Sequence, residues 1–207
     1  MELPSASLQT PLARAVFAIG PRGGRLSPAA AQALPLVEFA IGDITLEDGD
    51  AIVNPAGGGL VDLAVRRTAG PALEAALRAG VAELVPPRLL PGQIVVTGGF
   101  GLRAKRVLHC APPSYADDPV QARAELEACH AEALSVARRL ELASISFPAI
   151  ATGAFRFPIP EAAAIAARVV IEAVRRHGAP RLVRFVLYGP ATLDTYADAA
   201  RRQLGSA

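Results

Sequence analysis

Two stretches of this chain place glycine where backbone amides could do chemistry: 54-NPAGGGLVD-62 and 151-ATGAFRFP-158. Glycine loses more backbone freedom on folding than any other residue, so three in a row imply a need for bare backbone. Each stretch follows a β-rich apolar run and precedes a helical pattern. A loop so placed offers unpaired N–H groups at the positive end of a helix, and without a side chain a phosphate can approach closely. Two such loops could grip two phosphates. Asp62, at the start of the first helical pattern, stands where a carboxylate complements the helix dipole. Neither loop runs on into Gly-Lys-Ser/Thr, and no acidic residue closes a following strand at the spacing of a dinucleotide fingerprint.

Loops far apart in sequence need a scaffold that brings them together. Short β-rich runs occur at 36–41, 51–53, 93–98, 106–110, 144–150 and 182–188, and helical patterns separate several of them. In 119–140, Leu126, Cys129, Ala133, Val136 and Leu140 recur at three- and four-residue steps, an apolar stripe that makes Cys129 a core residue. Pro160 fits the first turn of a helix ending near His177, closed by Gly178 and Pro180. A further helix is expected from about Leu193, carrying Tyr196, Ala200 and Leu204, and the pattern from Leu60 to Ala79 breaks at Gly70 and Pro71. This alternation predicts an α/β domain with helices on both faces of a sheet. Ligands of such sheets bind beyond the carboxyl ends of the strands. Residues 1–35, with Pro4, Pro11, Pro21, Pro28 and Pro35 among glycines, read as an N-terminal extension outside a domain spanning 36–207, although 12–19 could dock as a strand or short helix.

The chain has 207 residues, 52% of them hydrophobic and 19% charged, enough for one folded domain. Its 21 basic and 19 acidic residues leave a net charge of +2, which supplies no electrostatic footprint for nucleic acid or a membrane surface. Cys110 and Cys129 fit no zinc or redox spacing, so no metal site is expected and a reducing, cytoplasmic setting is the default. No apolar run of transmembrane length is present. His109, inside an apolar strand, reads as a hydrogen-bonded core histidine, and Cys110 beside it as an inert thiol.

The order of 42-GDIT-45, 51-AIVNPA-56, 57-GGGLVD-62, 69-AGP-71, 92-GQIVVTGGFGLRAKRVLHCAPP-113 and 147-FPAIATGAFRFP-158, closing in VLYGP, resembles the macro domain family over roughly residues 36–204. That resemblance implies a three-layer α/β/α sandwich around a central mixed β-sheet. It also implies a cleft that binds ADP-ribose or an ADP-ribosylated protein, without cofactor or metal, and hydrolysis of ADP-ribosyl groups in some members. Carried over by motif, Asp43 accepts from the adenine amino group, Ile44 lines the same pocket, and Tyr188 stacks on adenine. Gly58, Gly59, Leu60 and Val61 form the first phosphate and ribose loop. Thr152, Gly153, Ala154 and Phe155 form the second, with Phe155 against the distal ribose. Asn54 touches ligand or holds the first loop. Asp62 stands where the hydrolase branch has its acidic residue.

The departures separate binding from catalysis. Family members commonly carry a second asparagine that Gly57 replaces or that is deleted here. Arg66 replaces a frequent histidine, Ala151 a frequent serine and Arg156 a frequent glycine. Three readings follow: a hydrolase of ADP-ribosyl esters or O-acetyl-ADP-ribose, a non-catalytic reader of ADP-ribose, and a repurposed cleft for RNA or a protein partner.

Overall fold

Successive side chains of a strand point to opposite faces, so apolar runs such as those of this chain must be buried from both sides. The computed structural model describes residues 14–20 and 33–205. Its strands are β1 (Arg14–Ala18), β2 (Leu36–Ile41), β3 (Ala51–Pro55), β4 (Ile94–Gly98), β5 (Arg106–Cys110), β6 (Ser144–Phe147) and β7 (Leu182–Leu187). Its helices are α1 (Leu60–Ala69), α2 (Pro71–Ala82), α3 (Pro119–Arg139), α4 (Ile159–His177) and α5 (Pro190–Gly205). The strands form one mixed sheet in the order β1-β2-β7-β6-β3-β5-β4, with β1 and β4 antiparallel at the edges and the five between them parallel.

Alternation along each strand divides the core. Val53, Leu108, Phe147 and Phe185 pack with α3, α4 and α5, while their neighbours Ile52, Val107 and Val186 pack with Val65 of α1 and Leu73 of α2. Phe185 anchors the larger layer, stacked on Phe39 at 5.2 Å and on Phe147 at 5.5 Å. The result is a three-layer α/β/α sandwich. The alternation carries one charged step: Glu38, 1% exposed, pairs with Arg14 and Arg184, and Arg184 reaches Glu47 at 2.8 Å. A buried carboxylate is tolerated there because both its oxygens are paired.

Strand β1 lies within the stretch 1–35 that composition assigns to an extension, yet it pairs with β2 from Arg14↔Ala40 to Ala18↔Leu36. Of the two expected ways of docking 12–19, the strand is the one observed. Residues 1–13, 21–32 and 206–207 lie outside the described residues.

Helix starts follow their caps. Asp118 accepts from Val120 N–H at 2.9 Å and Gln121 N–H at 3.0 Å, with Pro119 in the first turn. The stripe of α3 buries Leu126, Cys129, Ala133 and Val136, but Leu140 falls past the helix end and is 41% exposed. Helix α5 begins at Pro190, three residues before the expected start at Leu193.

The glycines of the β4–β5 connection are set by close packing. A Cβ at Gly99 would lie 1.8 Å from the Ala104 carbonyl oxygen, and one at Gly101 2.5 Å from that of Thr68 in α1. Because the obstacle is backbone, Gly99→Ala is expected to lower unfolding free energy by about 2–3 kcal/mol through overpacking. Gly189→Ala, where nothing lies within 4 Å, is the control. Equal urea midpoints for the two variants would contradict this packing.

Candidate functional site

Five parallel strands end on one side of the sheet, and a cleft of about 310 Å³ opens there. Asp43 and Ile44 after β2 line one end, with Val186 and Leu187 of β7 and Tyr188 beyond them. Pro55 and residues 59–62 come from the β3–α1 connection, and Pro148 and residues 151–155 follow β6. The two glycine loops, nearly a hundred residues apart in sequence, thus face one space because β3 and β6 are hydrogen-bonded neighbours. Among the described residues that line it there is no lysine, arginine or histidine.

The first loop supplies amides instead. Gly59 caps α1 in extended geometry without a side-chain bond to the helix, so the leading N–H groups of α1 have no intrahelical acceptor. Gly58 takes φ +76, a left-handed conformation that favours glycine. Its N–H donates to Asp62 Oδ2 at 2.9 Å. Asp62 Oδ1 accepts from Asn54 Nδ2 at 2.8 Å and from Arg66 Nε at 2.9 Å, and Arg66 also pairs with Glu74 of α2. Burial pushes the Asp62 carboxyl up, but bonds from Arg66, Asn54 and the Gly58 amide outweigh it, and the carboxyl sits below its ordinary pKa.

The same network runs inward. Asn54 Nδ2 lies 3.1 Å from His109 Nδ1, which must accept, so the proton is on Nε2 and points to Thr97 Oγ1 at 3.0 Å. Thr97 Oγ1 donates on to the Gly98 carbonyl at 3.1 Å. Burial lowers His109 to a pKa of about 4 and keeps it neutral. The second loop is folded by its own backbone: Arg156 N–H donates to Gly153 O and Phe157 N–H to Ala151 O, both at 3.0 Å. Ala151 and Arg156 take φ +65 and +56, conformations uncommon for residues with a Cβ.

The family profile described as Macro domain matches residues 53–166. The chain belongs to the macro domain family. It is 37% identical over 173 residues to a macro domain-containing protein of Xanthomonas campestris pv. campestris, covering 81% of this chain and 96% of that protein. An O-acetyl-ADP-ribose deacetylase of Salmonella newport is 37% identical over 167 residues, covering 78% of this chain and 92% of its own length. The Oceanobacillus iheyensis macrodomain solved with ADP superposes with a TM-score of 0.81 at 29% identity, covering 94% of this chain and all of that one, 100%.

In this macro domain the residues expected at the site divide into two groups. Asp43, Ile44, Gly59, Leu60, Val61, Thr152, Gly153, Ala154, Phe155 and Tyr188 line the cleft. Asp43 also caps the turn after β2, its Oδ1 accepting from Thr45 N–H at 2.9 Å and Thr45 Oγ1 at 2.8 Å. Asn54 and Gly58 do not line it. Asn54 is 0% exposed beneath the loop, and the Gly58 amide is taken by Asp62. Asp62 reaches the cleft wall but is 1% exposed, with three donors already on its oxygens. What the structure shows for it is a fastening for the loop. Thr192, in the first turn of α5, lines the cleft without having been expected; Pro190, a residue suited to the first turn of a helix, was the signal for it.

Two outcomes follow from this network. Asp62→Ala leaves the buried Asn54 amide and the Gly58 N–H without their acceptor, while the half-buried Arg66 keeps Glu74, and is expected to destabilise the fold by about 2–3 kcal/mol. A urea midpoint within error of the wild type would contradict the fastening role. The second concerns pH. An unfolded histidine binds its proton near 6.5, whereas burial pushes both His109 and His130 to about 4. The unfolded chain then holds more protons between those values, so stability present above pH 6.5 is lost as pH falls toward 4, on the order of 3 kcal/mol per histidine. Denaturant midpoints across this window check it, and His109→Gln should flatten the dependence.

Proposed function

We infer that the cleft binds ADP-ribose, free or attached to a protein, and that its diphosphate is held by main-chain amides. The observation that carries this reading is the convergence of residues 59–61 and 152–155 on one space that no cationic side chain lines among the described residues. An anion there must be met by N–H groups and the α1 helix terminus, the recognition that oriented amides provide. Adenine fits the end where Asp43 offers a carboxylate oxygen outside the turn cap, Ile44 an apolar floor and Tyr188 a flat face, 79% exposed. The solved relative with ADP and the deacetylase named for O-acetyl-ADP-ribose support the ligand class. In this reading the protein works in a reducing, cytoplasmic setting, with Cys110 and Cys129 as free thiols.

A second reading, turnover of an ADP-ribosyl ester such as O-acetyl-ADP-ribose, is favoured by the resemblance to that deacetylase. General-base catalysis needs an acceptor within hydrogen-bond reach of the attacking water. The engagement of Asp62 with three internal donors leaves binding as the better supported function.

A thermal-shift titration with ADP-ribose, ADP and AMP tests the inference. Saturation at one hundred times Kd should add about 2.7 kcal/mol of apparent stability, with ADP-ribose effective at the lowest concentration. No shift with any of the three would sink the proposal. Single-turnover release of acetate from O-acetyl-ADP-ribose separates the readings: release above background establishes turnover, and binding without release establishes a reader.

A further inference from the structure

The ring of Phe155 occupies the place that a side chain at Gly57 would fill. A Cβ built at Gly57 would lie 2.7 Å from Phe155 Cζ, 3.3 Å from its Cε2 and 3.0 Å from Pro112 Cγ. Gly57 is not among the described glycines with positive φ, which are Gly58, Gly70, Gly92 and Gly178. Its backbone conformation is therefore open to any residue, and the neighbouring ring is the constraint.

Phe155 is held from both directions. Its carbonyl accepts from Tyr115 N–H at 3.1 Å, and the following residue, Arg156, is fixed in the left-handed region with its N–H on Gly153 O at 3.0 Å. With the main chain tied, the ring turns about its side-chain torsions alone. It crosses from the second loop to rest on Gly57 in the first loop and on Pro112 beyond β5. That contact lies at the end of the cleft away from Asp43 and Ile44, which follow β2 at the other side of the sheet order.

We propose that Gly57 is a positioning residue: by lacking a side chain it seats the Phe155 ring as the end wall of the cleft. The site thereby selects ligands that carry a sugar beyond the second phosphate. This rests on the ADP-ribose reading given above. A methyl group at position 57 meets two side chains rather than backbone, most closely the far end of the Phe155 ring and then Pro112 Cγ at 3.0 Å, so the ring swings away while the fold persists. Ligands that stop short of the wall do not register the change.

Calorimetry with ADP-ribose, ADP and AMP on wild type, Gly57→Ala, Phe155→Ala and the double variant tests it. Gly57→Ala should weaken ADP-ribose binding about three- to tenfold, the worth of one well-placed aromatic contact, and leave AMP within about twofold. In the Phe155→Ala background the same change should have no further effect, because its action passes through the ring. Equal weakening for all three ligands, no weakening for ADP-ribose, or an undiminished effect without the ring would overturn the proposal while the ADP-ribose reading stands. Wild-type protein that binds none of the three would overturn both.

Discussion

A carboxylate taken out of water must be surrounded by donors, and at Asp62 they come from three different parts of the chain. Asn54 belongs to strand β3, Gly58 to the loop and Arg66 to helix α1. An unpaired buried charge is costly enough that these three partners are fixed together or not at all. The path of the first glycine loop is thus dictated from beneath. With the Gly58 N–H turned inward to Asp62, residues 59–61 are left at the head of α1, where they line the cleft.

The fastening extends beyond the loop. Arg66 joins Glu74 of the next helix, and Asn54 joins His109 and, through it, Thr97 at the edge strand. A mostly neutral chain of hydrogen bonds crosses three adjacent strands and sets the asparagine from which the carboxylate is held. Both amide hydrogens of Asn54 are engaged in it, while its buried Oδ1 has no partner among the described residues, so the order of the network rests on the donors and on the accepting nitrogen of His109. The neutral form of His109 is part of the architecture, and the geometry of the cleft is coupled to groups that do not line it.

Sequence periodicity was a good guide to the scaffold. Alternating and continuous apolar runs marked six strands within a few residues, because a strand buried on both faces has few alternatives. The glycine loops were legible as places of bare backbone because they sit between a strand and a helix, but a tight turn has the same local pattern, and it was the order of several motifs along the chain that pointed to a phosphate grip. The roles of Asn54, Gly58 and Asp62 were less so. Each has a polar group that could face ligand or protein, and the choice depends on which donor lies within about 3 Å. Strand β1 was obscured by the prolines and glycines around it, and Thr192 by a helix start placed at the first apolar residue rather than at Pro190.

Composition and spacing by themselves determined the α/β class, the positions of the main strands and helices, and the two stretches of bare backbone. Those properties arise from local torsional preference and from the two- and 3.6-residue periods of side-chain direction. Tertiary structure alone decided that Ala51 of β3 stands beside Ile145 of β6, that the two loops share one cleft, and that the Phe155 ring fills the space above Gly57. Such contacts join residues about a hundred positions apart. Their existence depends on strand order and register, which no local stretch of sequence contains.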